Sequence, residues 1–495
     1  MRIDPFTALV RQRLALEQGG MDKQAPFAVA LTFPCSYRVG MSALGALSIY
    51  RAIQAEPGMA CERVFLPDDA GTGALAAPAL SYEGLRPLSD FAVLALPVAY
   101  ELELGGVVQL LEAAGLPALS RDRGAAHPLV VAGGPLTFAN PLPLAPLVDV
   151  LVMGEADTLA LDVLRVIRDS PSRERALAAL ARLPHLLVPS HHGSALPALA
   201  RCPAELLPAW SPIRTPDCEL SGMFLIEAGR GCSRTCRYCV MRRASDAGMR
   251  PVPSRRILEL VPSDAARVGL VGAAVSDHPE IGAVVRELAR RGATVGLSSL
   301  RPERLDDELV GALAAAGART LTTALDGTSE RVRALLDRRV RAEQVVRAAE
   351  LCRRHGLQKL KLYLMLGAPG EADEDVDECA ALALELSRIV PVALGVSAFC
   401  AKRNTPLAGA PFAGIEVVTR RLARLRAALR GRAVVAATSA RWAWVEHRLA
   451  GGSEADGLAV VEAVHQGGTF AAFRRALAKD APVSSSRPRA IGGVE

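Results

Sequence analysis

Three cysteines near the middle of the chain carry the chemistry that the sequence shows most directly. Cys232, Cys236 and Cys239 fall within eight residues, spaced C-x3-C-x2-C, just after an apolar run typical of a strand. Three thiolates so close together suit an iron–sulfur cluster. A cubic 4Fe-4S cluster held by three protein thiolates leaves one iron open to a small molecule. The spacing therefore predicts a cluster that takes part in catalysis rather than in plain electron transfer.

Clustered cysteines have two other common uses, and the sequence favours neither. Disulfide frameworks belong mostly to secreted chains, and the N-terminus lacks the charged-then-apolar pattern of a signal peptide. Structural zinc takes four ligands, usually as two pairs, and Cys218, the nearest further cysteine, has no pairing partner beside it. The remaining cysteines are scattered, as expected of reduced thiols in a cytoplasmic protein.

Composition narrows the class of protein further. Half of the 495 residues are hydrophobic, yet no apolar run reaches the roughly 18–20 residues needed for a membrane span. The net charge of +6 is too small over this length to indicate nucleic-acid binding by itself. Arginines are dense between 417 and 450. They could contact RNA phosphates or an acidic protein, but a solvated basic surface is the favoured interpretation.

Alternating strand-like and helix-like runs predict an α/β protein with several regions. Residues 1–185 are typical of a doubly wound, Rossmann-like parallel sheet with ligands at the carboxyl ends of its strands. The proline-rich stretch 186–221 predicts an extended linker. Six strand–helix units over 222–410 predict a partial (β/α)6 TIM-like barrel. We expect residues 411–481 to be a small helical region and 482–495 to be disordered.

The strands of the predicted barrel end in groups that could hold a ligand. These strands are expected at 223–228, 268–275, 294–299, 320–325, 359–366 and 394–399, so the cysteines directly follow the first. In the fifth strand, period-two alternation puts Lys361 and Tyr363 on one face and leucines on the other, which predicts a polar barrel interior against an apolar helix layer. Hydroxyl, carboxylate or cationic side chains at other strand ends are Ser298, Ser299, Arg301 and Asp326.

The cysteine spacing, with the aromatic Tyr238 before the last cysteine, resembles the signature of the radical S-adenosylmethionine (radical SAM) superfamily. The resemblance implies that the open iron binds the amino and carboxylate groups of SAM. It also implies that an electron from the cluster cleaves SAM to a 5′-deoxyadenosyl radical. An electron donor such as flavodoxin or ferredoxin would then be a partner.

Further segments resemble one group of that superfamily, whose members carry an N-terminal cobalamin-binding domain. Residues 361–371 are similar to the group's Lys-x-Tyr-x-Met-x-Gly-x-Pro-Gly-Glu strand, and residues 399–406 to its Phe-x-x-Lys-x-x-Thr-Pro strand. Residues 34–45 are similar to Pro-x-x-Tyr-x-x-Gly-Met-Ser-x-Leu-Gly, and glycine turns follow at 132–135 and 154–155. The resemblance covers roughly residues 25–475 and implies cobalamin as a third cofactor.

The resemblance also implies site residues. For SAM they are Tyr238, Ser298, Ser299, Arg301, Asp326, Lys361, Tyr363 and Gly367. For cobalamin they are Tyr37, Gly40, Ser42, Tyr100, Gly133, Gly134, Gly154 and Glu155. One departure is clear: the Asp-x-His-x-x-Gly segment that ligates cobalt in classical cobalamin domains is missing, and residues 27–120 contain no histidine. Tyr37, Tyr100 or a water would have to occupy that face of the cobalt, unless the domain has lost cobalamin altogether.

Three functions stay open on the sequence. The first is a radical SAM enzyme that uses cobalamin for C-methylation, or carries out another radical modification of an unactivated carbon. The second is a cobalamin-free radical SAM enzyme that modifies RNA or protein, for example by inserting sulfur. It is disfavoured because sulfur insertion needs a second cluster and the N-terminal half has only two cysteines before the linker. The third is a non-enzymatic iron–sulfur or zinc protein. The substrate, whether small molecule, peptide or RNA, is not identified by the sequence.

Overall fold

Strands and helices alternate along the chain, as its apolar and amphipathic runs predict. The computed structural model describes residues 4–75, 78–241, 248–298 and 300–478. Ser299 and the predicted disordered segment 482–495 lie outside the described residues. The expected α/β class is confirmed, with parallel sheets in an N-terminal and a central region.

The N-terminal region is built on one sheet whose strands are nearly all buried, which explains their continuous apolar sequences. Its strands are β1 (Phe27–Ser36), β2 (Met59–Leu66), β3 (Val93–Pro97), β4 (Leu129–Gly133), β5 (Val150–Val152) and β6 (Leu186–Leu187). The order is β2-β1-β3-β4-β5-β6, and only β6 is antiparallel to its neighbour. The chain reverses its direction of winding between β1 and β3, and such a reversal opens a crevice at the carboxyl ends of the strands.

Helices cover both faces of this sheet, so the predicted doubly wound arrangement is confirmed. The helices are α1 (Pro5–Leu16), α2 (Tyr37–Gly40), α3 (Leu44–Ala55), α4 (Leu104–Ala113), α5 (Leu159–Asp169), α6 (Arg173–Leu180) and α7 (Pro189–His192). Helix α3 buries Leu47, Tyr50 and Ile53 on one face. Helix α4 packs on the other.

The central region contains all six predicted barrel strands and a seventh. They are β7 (Phe224–Glu227), β10 (Arg267–Val271), β11 (Thr294–Leu297), β12 (Thr320–Asp326), β13 (Lys359–Leu366), β14 (Val392–Ala398) and β15 (Ala433–Ala437). All pair in parallel, as β11-β10-β7 and β12-β13-β14-β15, and a bridge between Leu300 and Thr323 connects the two sets. Between β7 and β10, the short strands β8 (Gly229–Arg230) and β9 (Arg250–Pro251) pair antiparallel.

Helices pack outside these strands. They are α8 (Ser254–Leu260), α9 (Ile281–Arg290), α10 (Asp307–Ala315), α11 (Glu330–Leu335), α12 (Ala342–Arg354), α13 (Asp373–Ser387) and α14 (Ile415–Ala428). The leucines of β13 are buried in one core with residues of α12 and α13. Lys361 and Tyr363 therefore point to the opposite face, as the alternation predicts. Short 3₁₀ helices lie at Leu88–Asp90, Glu101–Glu103, Ser120–Asp122, Pro135–Phe138, Leu142–Leu147, Ala204–Leu206, Val275–Asp277 and Pro302–Arg304.

The structure differs from two predicted regions. The stretch 411–481 was expected to be helical, but it contains β15, because α14 ends before Gly431, whose φ of +72° turns the chain back into the barrel sheet. The stretch 186–221 was expected to be a linker, but it begins with β6, which pairs with β5, and with α7. All three elements are too short to show a period in the sequence.

The last helices return to the N-terminal sheet. These are α15 (Ala440–Ala450), α16 (Glu454–His465) and α17 (Phe470–Ala478). Val445, Val460 and Phe473 share a buried core with α4, so the C-terminal region completes one face of the first sheet. Within the described ranges, no helix combines the length and the apolarity that crossing a membrane requires.

Candidate functional site

The cysteine loop lies where the barrel strands present their carboxyl ends, directly after β7 and β8. Gly231, with φ of +84°, precedes Cys232 and adopts the left-handed backbone that glycine tolerates best. Cys236 is buried, Cys232 and Cys239 are half-buried, and the Cys239 amide donates to the Cys236 carbonyl over 3.3 Å. None of the ten cysteines, all of which lie within the described residues, forms a disulfide. The three thiols therefore lie on one short turn between β8 and β9.

Burial governs the protonation of these thiols. Desolvation raises the pKa of each of the three, that of Cys239 to about 11. A metal binds the thiolate form, so binding at this loop must release protons. An iron–sulfur cluster held by the protein at three irons needs three thiolate ligands. The turn supplies three sulfur donors, so the residues present fit such a cluster.

Arg301 contacts the first cysteine. Its Nη2 lies 2.8 Å from the Cys232 Sγ, and its backbone N–H donates to the Ser276 hydroxyl over 3.1 Å. The guanidinium also lies 3.3 Å from an Asp277 carboxylate oxygen. The loops after β10 and β11 thus hold one side of the cysteine turn.

Tyr238 anchors the other side. Its ring packs in an apolar cluster with Met365 and Phe399, at the carboxyl ends of β13 and β14. Burial, followed by the negative charge of Asp326, to which its hydroxyl is hydrogen-bonded, raises the pKa of Tyr238 far above the usual value. Asp326 also accepts a 2.5 Å hydrogen bond from Arg338 Nε. Asp326 has φ of +63°, a conformation that costs energy in a non-glycine residue and is held here by these two partners.

Two further pairs fix the rim of the cysteine loop. Arg234 lies 3.2 Å from a Glu303 oxygen, and the Thr235 hydroxyl contacts the carboxylate of Asp337. Polar partners from the loops after β10, β11 and α11, and from the end of β12, therefore surround the cysteine turn.

The residues predicted for SAM that the structure describes divide into three groups. Lys361 and Tyr363 share the open face of β13, where the Lys361 Nζ lies 4.7 Å from the centre of the Tyr363 ring. The Tyr363 side chain is 40% exposed and lies over Gly395, where a Cβ atom would be 2.7 Å from the ring. Tyr238, Arg301 and Asp326 instead contact the cysteine turn or each other, as described above.

The hydrogen-bonding groups of Ser298 and Gly367 already have partners within the chain. The Ser298 hydroxyl donates to the Gly272 carbonyl over 2.8 Å. Gly367 has φ of +83° and donates its N–H to the buried Glu371 carboxylate over 2.6 Å, while a Cβ atom there would be 2.9 Å from Ala413. These two residues stabilise strand ends, and Ser299 lies outside the described residues.

Three of the residues predicted for cobalamin serve internal packing, contrary to that assignment. Tyr37 is fully buried, and its hydroxyl bonds to Glu17 over 2.7 Å and to Thr215 over 3.2 Å, so it cannot face a cobalt ion. A Cβ atom on Gly40 would be 2.7 Å from the Phe65 ring. The Ser42 hydroxyl accepts the backbone N–H of residue 220 over 3.2 Å.

The predicted cobalamin glycines are explained mostly by close chain crossings. Gly134 has φ of +108°, and a Cβ atom there would be 2.8 Å from the Val98 carbonyl. Gly154 has φ of +96°, and a Cβ atom there would be 2.5 Å from the Ala200 carbonyl. Gly133 is half-buried and under no such constraint. Backbone therefore lies close beside the first two.

Glu155, the acidic residue among those predicted for cobalamin, belongs to an ion-pair network between the N-terminal region and the barrel. Its carboxylate contacts Arg250 and the Cys202 N–H, and lies 3.4 Å from Arg230. Arg230, two residues before the first cysteine, also lies 2.6 Å from Asp157. Glu155, Asp157 and Cys202 are close enough to suggest a metal site, but the two arginines already neutralise it. The sequence signal was the dense charge at 154–157 and 227–232.

Tyr100 is the predicted cobalamin residue that remains most open. It follows β3 at the crevice between β1 and β3, and its side chain is 45% exposed. Beside it, burial raises the pKa of Cys35 to about 12 and that of Glu103 to about 7. Of the eight residues predicted for cobalamin, Tyr100 and Gly133 are the two that the surrounding chain leaves least constrained, and the site stays a prediction.

The segment 399–406 connects three parts of the molecule. Lys402 Nζ lies 2.6 Å from Glu101, which follows β3, and 2.7 Å from Glu446 on α15. Asn404 donates to the Ala139 carbonyl over 2.5 Å. The segment resembling the Phe-x-x-Lys-x-x-Thr-Pro strand therefore joins the barrel to the N-terminal sheet and the C-terminal helices.

Three of the four arginines of α14 are paired locally. Arg421 lies 3.0 Å from Glu371, and Arg424 lies 2.6 Å from Asp377 on α13. Arg420 lies 3.3 Å from Asp373. These pairs favour the interpretation of this stretch as a solvated basic surface rather than as a phosphate-binding one.

Two family models match the chain around this site. One, described as radical SAM proteins, N-terminal, matches residues 45–189, and the other, described as the radical SAM superfamily, matches residues 226–383 and includes the cysteine loop. This chain belongs to the radical SAM superfamily.

Particular relatives give two further similarities. An uncharacterized protein of Methanocaldococcus jannaschii, MJ0966, is 29% identical over 289 residues, which are 56% of this chain and 61% of the relative. The cobalamin-dependent S-adenosylmethionine radical enzyme OxsB, solved with aqua-cobalamin and S-adenosylmethionine bound, is similar in fold, with a TM-score of 0.51 and 12% identity. That match covers 74% of this chain and 52% of OxsB. The form with aqua-cobalamin alone gives a TM-score of 0.52 at 12% identity, over 74% of this chain and 53% of that one. The chain thus spans about six-tenths of the curated relative and about half of the solved enzyme.

Proposed function

We propose that this protein is an enzyme that binds a 4Fe-4S cluster through Cys232, Cys236 and Cys239 and cleaves SAM reductively. The observation that carries the proposal is the cysteine turn at the carboxyl ends of the barrel strands, with none of its three thiols in a disulfide and its sides held by Arg301 and Tyr238. When bound, the cluster and SAM would supply a carbon-centred radical for abstraction of hydrogen from an unactivated carbon.

In this proposal the protein binds and orients the reactants. Lys361 and Tyr363, on the open face of β13, are the described SAM residues of the prediction that contact neither the cysteine turn nor the residues that hold it, and whose side chains make no hydrogen bond to backbone. Asp326 and Arg338 hold Tyr238, and through it the last cysteine, in place. An electron donor of the flavodoxin or ferredoxin class would deliver one electron to the cluster.

Replacement of one cysteine tests the proposal. Anaerobic reconstitution of the whole chain should give about four irons per chain and, with a reductant, 5′-deoxyadenosine and methionine from SAM. Cys232→Ala should lose this cleavage, while the control Cys218→Ala, which removes a buried thiol outside the turn, should retain it. SAM cleavage by Cys232→Ala would refute the assignment. A full cluster without SAM cleavage in the unmodified protein would favour the non-enzymatic alternative.

The finer proposal is that the radical reaction is a cobalamin-linked C-methylation. Its support is the fold similarity to a cobalamin-dependent enzyme and the exposed Tyr100 at the crevice of the first sheet. The other predicted cobalamin residues do not support it. Anaerobic purification with cobalamin supplied decides the question: retained visible absorbance of cobalamin would support methylation, and its absence beside an intact cluster would favour the cobalamin-free alternative.

A further inference from the structure

Arg301 is an almost buried cation in contact with a cysteine, a contact that SAM binding does not explain. Arg301 is only 7% exposed, and its guanidinium donates a hydrogen bond to the Cys232 Sγ over 2.8 Å. A neutral thiol is a weak acceptor, whereas a thiolate accepts strongly from a guanidinium. The contact therefore suits the thiolate form that a metal stabilises.

The surroundings of Arg301 leave part of its charge available to that sulfur. Asp277, its carboxylate neighbour at 3.3 Å, is shared with Arg304 at 3.4 Å, so two arginines face one carboxylate. The Arg301 backbone is fixed by the bond of its N–H to the Ser276 hydroxyl. The guanidinium is thus held rigidly, with excess positive charge, against the first ligand of the cluster.

We propose that Arg301 is a positioning residue that raises the reduction potential of the cluster. The inference rests on the proposed cluster. On reduction, one electron from the donor protein enters the cluster, no bond forms or breaks, and the negative charge on the ligand sulfurs grows. A charged N–H at the Cys232 sulfur stabilises this reduced state. Arg301, predicted from the sequence to bind SAM, would in this role act through Cys232.

A redox titration of the whole chain tests this role. Arg301→Gln, reconstituted anaerobically and measured without SAM, should keep its iron but show about a tenfold lower ratio of reduced to oxidised cluster at the midpoint potential of the unmodified protein. For a one-electron couple this corresponds to about 59 mV. The matched control is Arg304→Gln, which changes the more exposed arginine on the same Asp277, and it should change the ratio by less than about twofold.

Other outcomes discriminate between explanations. An unchanged potential in Arg301→Gln with a full cluster would overturn the inference, and loss of SAM affinity at unchanged potential would return Arg301 to the SAM site. If Arg301→Gln does not assemble a cluster, Arg301→Lys decides, with an intermediate potential expected and an unchanged one contradicting the proposal. Absence of iron from the unmodified protein would instead refute the proposed function, which iron analysis shows separately.

Discussion

At the scale of single residues, the sequence identified the cysteines because their chemistry depends on local spacing alone. It could not identify the partners of the polar residues, because those partners are distant in the chain. Arg301 contacts a sulfur 69 residues away, and Glu155 contacts an arginine 75 residues away. Tyr37 was predicted to face a cofactor from the resemblance of its segment to a family motif, and such a motif does not show that a tyrosine hydroxyl has its partners inside the core.

Glu103 gives a prediction at this scale. Burial, partly offset by hydrogen bonds from the backbone N–H groups of Ala99 and Tyr100, raises its pKa from 4.5 to about 7. The folded protein therefore binds a proton that the unfolded chain releases between these values, so this group lowers stability as the pH rises from about 4.5 to 7. Glu103→Gln should raise the thermal midpoint at pH 8 by roughly 1–3 °C and much less at pH 5.

A second carboxylate serves as the control for this pH dependence. Glu174 is exposed, and its pKa is lowered, first by a hydrogen bond with its own backbone and then by one with Ser172. Glu174→Gln should give no such gain at pH 8. Thermal unfolding of the three proteins at both pH values would contradict the account of Glu103 if its variant gained equally at pH 5 and pH 8.

At the scale of elements, the fold was largely predictable, since long strands and amphipathic helices have clear periods. All six predicted barrel strands are present, and the two faces of β13 are as expected. Two of the elements that were missed, β6 and β15, are two and five residues long and are formed by pairing with strands placed elsewhere in the chain. Short segments like these acquire their structure from tertiary contacts, which the local pattern does not contain.

The turn after β13 offers a prediction at this scale. Gly367 and Gly356 both have positive φ, at +83° and +71°, so alanine is strained at either position. Only at Gly367 would the added Cβ collide with a neighbour, Ala413, at 2.9 Å; at Gly356 it meets nothing within 4 Å. Gly356→Ala should therefore cost about 1 kcal/mol, and Gly367→Ala roughly 1–3 kcal/mol more.

Denaturant unfolding followed by circular dichroism compares these two variants. Because both substitutions carry the same backbone strain, the difference between their midpoints isolates the collision with Ala413. Equal midpoints would mean that the segment around Ala413 yields without cost. The turn would then be less rigid than its hydrogen bond to Glu371 indicates.

At the scale of the whole molecule, charged contacts join regions that the sequence presented as separate. Arg230 connects the base of the cysteine loop to Asp157 of the N-terminal region, and Lys402 connects Glu101 to Glu446 of the C-terminal helices. The carboxyl ends of both sheets thus meet at two contacts. One is made by Arg230, next to the cysteine turn, and the other by Lys402, in the loop after β14. The order of segments in a sequence does not contain this arrangement, because it arises when the C-terminal helices return to cover the first sheet.

Lys402 permits a test of this assembly. Glu101 is only 2% exposed, and its pKa is raised by burial, an effect that the neighbouring Lys402 opposes. Lys402→Met would leave that carboxylate without its cation and should destabilise the contact by roughly 3–5 kcal/mol. We expect faster amide hydrogen exchange in α15 and around residues 99–104, and little change in β10 and β11.

The double variant Glu101→Gln with Lys402→Met should recover much of the protection, because a neutral amide carries a far smaller desolvation penalty than a buried charge. Equal exchange in the single and double variants would show that loss of the lysine stem from the packing, rather than the unpaired charge, weakens the contact.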